Sequence, residues 1–196
     1  MEIAEIIAGR MGLKQGPVER TIALLNEGAT IPFISRYRKE ATGGMDEVQV
    51  AQVQRLNDEL NELVRRREYI TEAIAAQGKL TDDLAGRLAA CWDPAVLEDL
   101  YLPYKTKRKT RAEVARKRGL APLAALMMDN PYADPVRAAA KYIGDEVPDA
   151  EAALQGARDI IAETVNEDER TRQTLRTTFA RTARITSKVV KSRADE

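Results

Sequence analysis

The sequence predicts an all-α, multi-helix protein with one long helix and helix-turn-helix-like elements. Three observations predict it. Capping residues recur just ahead of apolar-periodic runs, and glycines close those runs. From Asp46 to Gln77 the apolar positions keep a three-four spacing, and no strand-turn-strand pattern occurs before the last residues.

Taken in order, Gly16-Pro17 opens a helix that runs through Ile22, Leu24 and Leu25 and stops at Gly28. The next stretch, GATIPFISRYRKEATGG, turns the chain toward Asp46. Pro32 begins a short helix in which Phe33 and Tyr37, four apart, share one apolar face. The stretch therefore reads as a core joint between helices, with Arg36, Arg38 and Lys39 emerging beside it as secondary phosphate or partner contacts. Asp46 with Gln49 makes a capping box for the long helix, which ends before Gly78. Its stripe is Val53, Leu56, Leu60, Leu63, Ile70 and Ile74, interrupted where Arg67 falls in the series.

Thr81 caps the following helix, with Asp82 and Asp83 in its positively polarised first turn. Asp93-Pro94 starts another, which Pro103 ends. Thr110 with Glu113 is a second capping box, closed by Gly119; Pro122 and Asp134-Pro135 open two short helices. Gly144 to Pro148 is the expected internal boundary, dividing a helical domain 1–143 from a helical continuation 144–196. Beyond it Asp149 caps one helix, and Asn166 with Glu169 is expected to cap the next. The β-branched stretch ARITSKVVKSR reads as extended.

Composition removes whole classes of function. A chain of 196 residues with 44% hydrophobic content has the make-up of a globular protein, and no apolar run approaches the roughly 20 residues of a membrane span. The start, MEIAEIIAGR, is interrupted by acids and is not a signal peptide. A lone cysteine, Cys91, points to a reducing, cytoplasmic setting and reads as core packing. Histidine is absent, which removes the commonest general base and metal ligand and every Ser-His or Cys-His nucleophile.

Other motifs fail on inspection. Gly78-Lys79 is followed by Leu80, and Ala73 stands where a P-loop glycine belongs. Gly43-Gly44 has no GxGxxG frame. Asp82-Asp83, Glu98-Asp99 and Glu167-Asp168-Glu169 read mainly as compensation of helix dipoles rather than as a cation site. No cofactor, metal or enzyme activity is expected.

The net charge of zero hides a segregation. From Tyr104 to Arg118, Lys105, Lys107, Arg108, Lys109, Arg111, Arg116, Lys117 and Arg118 face one acid, Glu113, a net of +7. From Arg170 to Arg193 there are eight cations and no acid, a net of +8. If that tail is helical, Arg181, Arg184, Lys188 and Lys191 line one face. Tyr101 and Tyr104 flank the first block where they could stack on bases. Such blocks are either a phosphate-binding surface or solvated helix faces, and composition leaves both open.

Two places have the steric outline of a helix-turn-helix: Ala115, Gly119 and Leu120 before Pro122, and Ala8, Gly12 and Leu13 before Pro17. Base reading needs polar side chains on the second helix. Pro122-Leu123-Ala124-Ala125-Leu126-Met127-Met128 offers none, so this copy reads as packing. The N-terminal copy carries Glu19, Arg20 and Thr21 and is equally well read as scaffold.

Three segments, LLNEGATIPFISRYRKEATGGMDEVQ, LEDLYLPYKTKRKTRAEVARKRGLAPLA and ALQGARDIIAE, together resemble the N-terminal helical region of the bacterial Tex family of transcription accessory proteins, over Ala4 to about Val190. The resemblance implies an all-helical fold with helix-turn-helix-like elements, related to a eukaryotic elongation factor that binds histones and RNA polymerase. It also implies that the parent continues, beyond Glu196, into an RNase-H-like domain, helix-hairpin-helix modules and an OB-fold RNA-binding domain. It supplies no catalytic residue. The reading is a scaffold of a nucleic-acid-associated transcription factor with auxiliary, sequence-independent contacts to RNA or DNA phosphates. The alternative is a structural or protein-docking module for the transcription machinery, without membrane contact.

Overall fold

A computed structural model describes residues 2–106 and 109–188. Among them the chain forms twelve α-helices and no strand, with one isolated bridge between Gly144 and Val147. None of these helices is long and apolar enough to cross a membrane. The helical class and the single long helix are as the sequence predicts. The chain divides into two compact units at Leu97/Glu98.

The first unit holds α1 (Ile3–Met11), α2 (Gln15–Asn26), α3 (Ile31–Tyr37), α4 (Lys39–Thr42), α5 (Glu47–Ala75) and α6 (Asp82–Ala90), with the start of α7 (Pro94–Tyr101). Its axis is α5, 29 residues and so about 43 Å long at 1.5 Å per residue. The capping box starts it: the Gln49 N–H donates to Asp46 Oδ1 at 2.8 Å, and the Asp46 N–H donates back to Gln49 Oε1 at 3.2 Å. The predicted stripe is buried, extended at its start by Val50, and α1, α2, α3 and α6 pack against this helix. Arg67, the interruption in that stripe, has its own partners. Its guanidinium donates to the Ala89 carbonyl at 2.8 Å and lies 4.8 Å from the centre of the Trp92 ring, tying α5 to the end of α6. Cys91, beside it, is buried as expected.

In the N-terminal helix pair, two of the three polar residues Glu19, Arg20 and Thr21 of the second helix face the protein. Arg20 donates to the Ala41 carbonyl at 2.5 Å, and Thr21 is fully buried with its hydroxyl on the Pro17 carbonyl. The joint between α2 and α5 is a joint in fact, but only half of it is core. Ile34, Ser35 and Thr42 are buried, whereas Phe33 and Tyr37 face solvent. The helical period explains the reversal: α3 has one inner face, and Ile34 and Ser35 take it, which turns positions 33 and 37 outward.

The second unit holds the rest of α7, a 3₁₀ turn at Leu102–Tyr104, α8 (Arg111–Lys117), α9 (Ala121–Asp129), α10 (Pro135–Ala139), α11 (Ala150–Glu167) and α12 (Glu169–Thr182). Here α11 is the hub, touching α8, α9, α10 and α12. Its core joins Ala112, Ala115, Leu120 and Leu123 to Ala153, Leu154, Ala157 and Ile160. The residues on either side of Gly144 thus share one core, and Val147 is buried in it. The Gly144–Pro148 stretch is a tight turn inside this unit, and the division between compact units lies upstream of it.

One local expectation changes near the end, and one conditional reading lapses. Asn166 lies inside α11, and Asp168 is the residue that caps α12: its carboxylate accepts from the Thr171 N–H at 2.7 Å and hydroxyl at 2.6 Å. These bonds hold the Asp168 carboxyl below its ordinary pKa. Helix α12 stops at Thr182, and residues 183–188 are not helical. Arg181, Arg184 and Lys188 therefore do not line one helix face, and Lys191 lies outside the described residues.

Candidate nucleic-acid interface

Within the second unit the first basic block separates into engaged and open cations. Lys105 stands 4.0 Å from Glu98, Lys117 pairs with Glu113 at 2.8 Å, and Arg116 is clamped on Glu163. Glu163 also accepts from the Thr110 hydroxyl at 3.0 Å, so this carboxylate locks the start of α8 to α11. Lys117, through its hydrogen bond and charge, holds the Glu113 carboxyl below its ordinary pKa. Lys107 and Arg108 lie outside the described residues.

Lys109, Arg111 and Arg118 are different. All three are exposed, and among the described residues none is ion-paired. They line one groove of about 380 Å³ between α8 and α11, whose walls include Val114, Gln155 and Asp159. The local fold sets this up. The Thr110 hydroxyl accepts from the Glu113 N–H at 3.0 Å and starts α8 just after Lys109, which places Arg111 in its first turn. Gly119, at φ 77°, turns the chain immediately after Arg118. Two positive side chains at one end of a short helix and one at the other can hold neighbouring phosphates of a backbone.

Two cations of the second basic block, Arg172 and Arg176, are spent on structure. Arg172 Nε and Arg176 Nη2 each donate to Asp99 at 2.5 Å, one to each carboxylate oxygen. Asp99 is buried, and burial pushes its carboxyl up. The hydrogen bonds from Arg176 and Arg172, with their charges, outweigh that and leave its pKa lowered. Neither Asp99 as an anchor nor the two arginines as its partners was visible in the sequence, because they stand more than 70 positions apart. A cavity of about 720 Å³ opens beside this clamp, between α11 and α12, and Ile161, Val165 and Leu175 are among its walls.

The secondary candidates also separate. Tyr101 is 6% exposed, so its ring lies in the core and cannot stack on a base; the α7 residues Leu97, Leu100 and Tyr101 turn inward together. Tyr104 is half-buried at the end of the 3₁₀ turn. In the first unit Arg36 pairs with Glu47 at 3.3 Å, Arg38 sits over the Phe33 ring, and Lys39 is exposed. The second helix of the α8–α9 pair buries Leu123 and Ala124, in keeping with its reading as packing.

Comparison with known sequences gives the wider setting. Residues 1–75 match the Tex-like protein N-terminal domain, and residues 130–196 match the Tex central region-like family. The chain is 41% identical over 196 residues to the transcriptional accessory protein Tex of Neisseria gonorrhoeae, covering 100% of this chain and 26% of that protein. It is 44% identical over 193 residues to protein YhgF of Escherichia coli (strain K12), covering 97% of this chain and 25% of the relative. A more distant match, 30% identical over 131 residues, is the S1 RNA-binding domain-containing protein 1 of Homo sapiens, covering 66% and 13% of the two chains. The chain thus spans about a quarter of the length of its bacterial relatives. It belongs to the Tex family, with sequence of both the family's N-terminal domain and its central region.

Proposed function

We propose that this chain is a helical scaffold of a nucleic-acid-associated transcription accessory factor, working in the cytoplasm and without catalysis of its own. In this reading Lys109, Arg111 and Arg118 make auxiliary, sequence-independent contacts to backbone phosphates, with Lys107 and Arg108 in the same basic run. The observation that carries it is the groove between α8 and α11, where three unpaired cations converge while their neighbours Lys105, Arg116 and Lys117 are engaged by carboxylates. Arg181 in the last turn of α12, and Arg184 and Lys188 after it, are all exposed and extend the positive charge along the chain. The names of the relatives, a transcriptional accessory protein and an S1 RNA-binding domain-containing protein, support the same reading.

The test is fluorescence anisotropy of labelled single-stranded RNA, and of duplex DNA, against the 196-residue chain at several salt concentrations. Wild-type affinity should fall with salt. Lys109→Glu, Arg111→Glu and Arg118→Glu together should weaken binding and flatten the single-strand salt slope by about 2, at roughly 0.7 per lost phosphate contact. An unchanged slope would remove the groove from the interface.

One observation favours a docking role instead. The cavity between α11 and α12 has an apolar strip of Ile161, Ala162, Val165 and Leu175 among polar neighbours that include Arg158 and Arg172, and Leu175 and Phe179 on α12 are 53% and 65% exposed. On that reading the occupant is protein from the remainder of a Tex-length chain, and the wild-type chain binds neither nucleic acid at low salt.

A further inference from the structure

The elbow between α3 and α4 holds two aromatic rings in water. Phe33 is 39% exposed and Tyr37 68%, and their ring centroids lie 5.5 Å apart with planes tilted by 45°. The rings are not on a floppy loop. On the inner side of the elbow Ile34, Ser35 and Thr42 are buried, α3 packs on α5, and α4 packs on α2. Arg20 reaches across from α2 to hold the Ala41 carbonyl at 2.5 Å. The elbow is a rigid mount with its apolar contact surface turned outward.

The cations beside it are ordered differently. Arg36 is occupied by Glu47 at 3.3 Å. Arg38 lies 5.2 Å from the Phe33 ring centre, a cation–π distance, and stays exposed. Lys39 follows it, exposed and, among the described residues, without an ion-pair partner. Rings interleaved with cations on a fixed support are what a single strand needs: a π-face for a base, and positive charge one step away for its phosphate. A protein-docking core would instead require a continuous apolar area, and this patch is bounded on its own segment by Arg36, Arg38, Lys39 and Glu40.

We infer that the Phe33–Tyr37 edge is a stacking site for an unpaired base of single-stranded nucleic acid, with Arg38 and Lys39 on the adjoining phosphates. This rests on the nucleic-acid reading above, but it uses a different unit and different chemistry from the groove of the second unit.

The test uses the full 196-residue chain, a labelled oligouridine strand, and inorganic polyphosphate as a ligand with charge and no bases. Tyr37→Ala should weaken oligouridine binding by about tenfold, the size expected for one lost base stack, and leave the salt slope unchanged. Polyphosphate binding should not change, and Tyr37→Trp should retain affinity with indole emission quenched by the strand. Equal losses for oligouridine and polyphosphate would overturn stacking. So would wild-type affinity in both Tyr37→Ala and Phe33→Ala, which would turn the rings toward a protein partner while leaving the groove intact. Loss in Tyr37→Ala with no effect of the groove charge reversals would uphold stacking and overturn the groove. No binding by the wild-type chain overturns both.

Discussion

Gly156 stands on α11 where α8 crosses it, and the crossing depends on the missing side chain. A Cβ there would overlap the Leu120 Cδ1 and come within 3.1 Å of the Ala115 Cβ. Leu120 is 1% exposed, so moving its side chain aside means repacking the core around it. Gly156→Ala gains about 1 kcal/mol of helix propensity, but overpacking a tight core costs roughly 1–3 kcal/mol. The expected outcome is a lower thermal midpoint, measured by circular dichroism. Gly86 is the control. It is exposed on α6 with nothing within 4 Å of an added Cβ, so Gly86→Ala should raise stability by about 1 kcal/mol. If both substitutions stabilise, the close crossing of α8 and α11 is wrong.

At the scale of the element, α12 is the helix most dependent on polar contacts. None of its residues is buried, so little apolar burial holds it, and its bonds to Asp99 are its main anchor to the start of the unit. Asp99→Asn keeps the shape and removes the charge. Breaking a fully buried pair costs 3–5 kcal/mol; with both arginines about a third exposed, about 2 kcal/mol is expected here. Hydrogen exchange should report it locally, as lost amide protection across Glu169–Thr182 with α11 unaffected. The pH dependence has a fixed sign. Because folding lowers the Asp99 pKa, its contribution is fully present above the unfolded value near 4 and is lost as pH falls through the folded value. The stability difference between wild type and Asp99→Asn should therefore shrink below about pH 4. A difference that stayed constant down to pH 2 would mean that the clamp does not form.

At the scale of the whole molecule, the chain carries two compact units, each with a helix of its own as hub. The second unit's core is drawn from Ala112 to Ile160, all downstream of the division. Residues 93–196, which keep the Asp93 cap of α7, should therefore fold alone. Asp93 Oδ1 accepts from the Ala95 N–H at 2.7 Å and the Val96 N–H at 3.1 Å, so the shortened chain begins on a finished helix start. A cooperative thermal melt of this fragment, with helical circular dichroism, is the expected result. A non-cooperative melt would show that the unit needs residues 1–92. Cutting instead at Gly144, the boundary expected from the sequence, would separate Ala115 and Leu120 from Ala157, so the first unit should still melt cooperatively while residues 98–143 and 144–196 are left without a complete core.

The sequence by itself determined what is local. Helix class, the capping of α5, α6, α8, α10 and α11, and the glycine stops all follow from contacts within one turn of the chain, and they are present where the residues predict them. The buried stripe of α5 was readable for the same reason, because 3.6-residue periodicity is a property of the segment alone. Tertiary structure decided everything that depends on what lies opposite. Arg116, Arg172 and Arg176 read as members of basic runs, yet each is matched by a carboxylate at least 47 positions away. Tyr101 and Phe33 look alike in a string of letters, and only packing sends one inward and the other out. A side chain's type is written in the sequence, but its availability depends on partners that folding brings from far along the chain. The three open cations of the groove and the two exposed rings of the elbow could therefore be recognised only in the folded molecule.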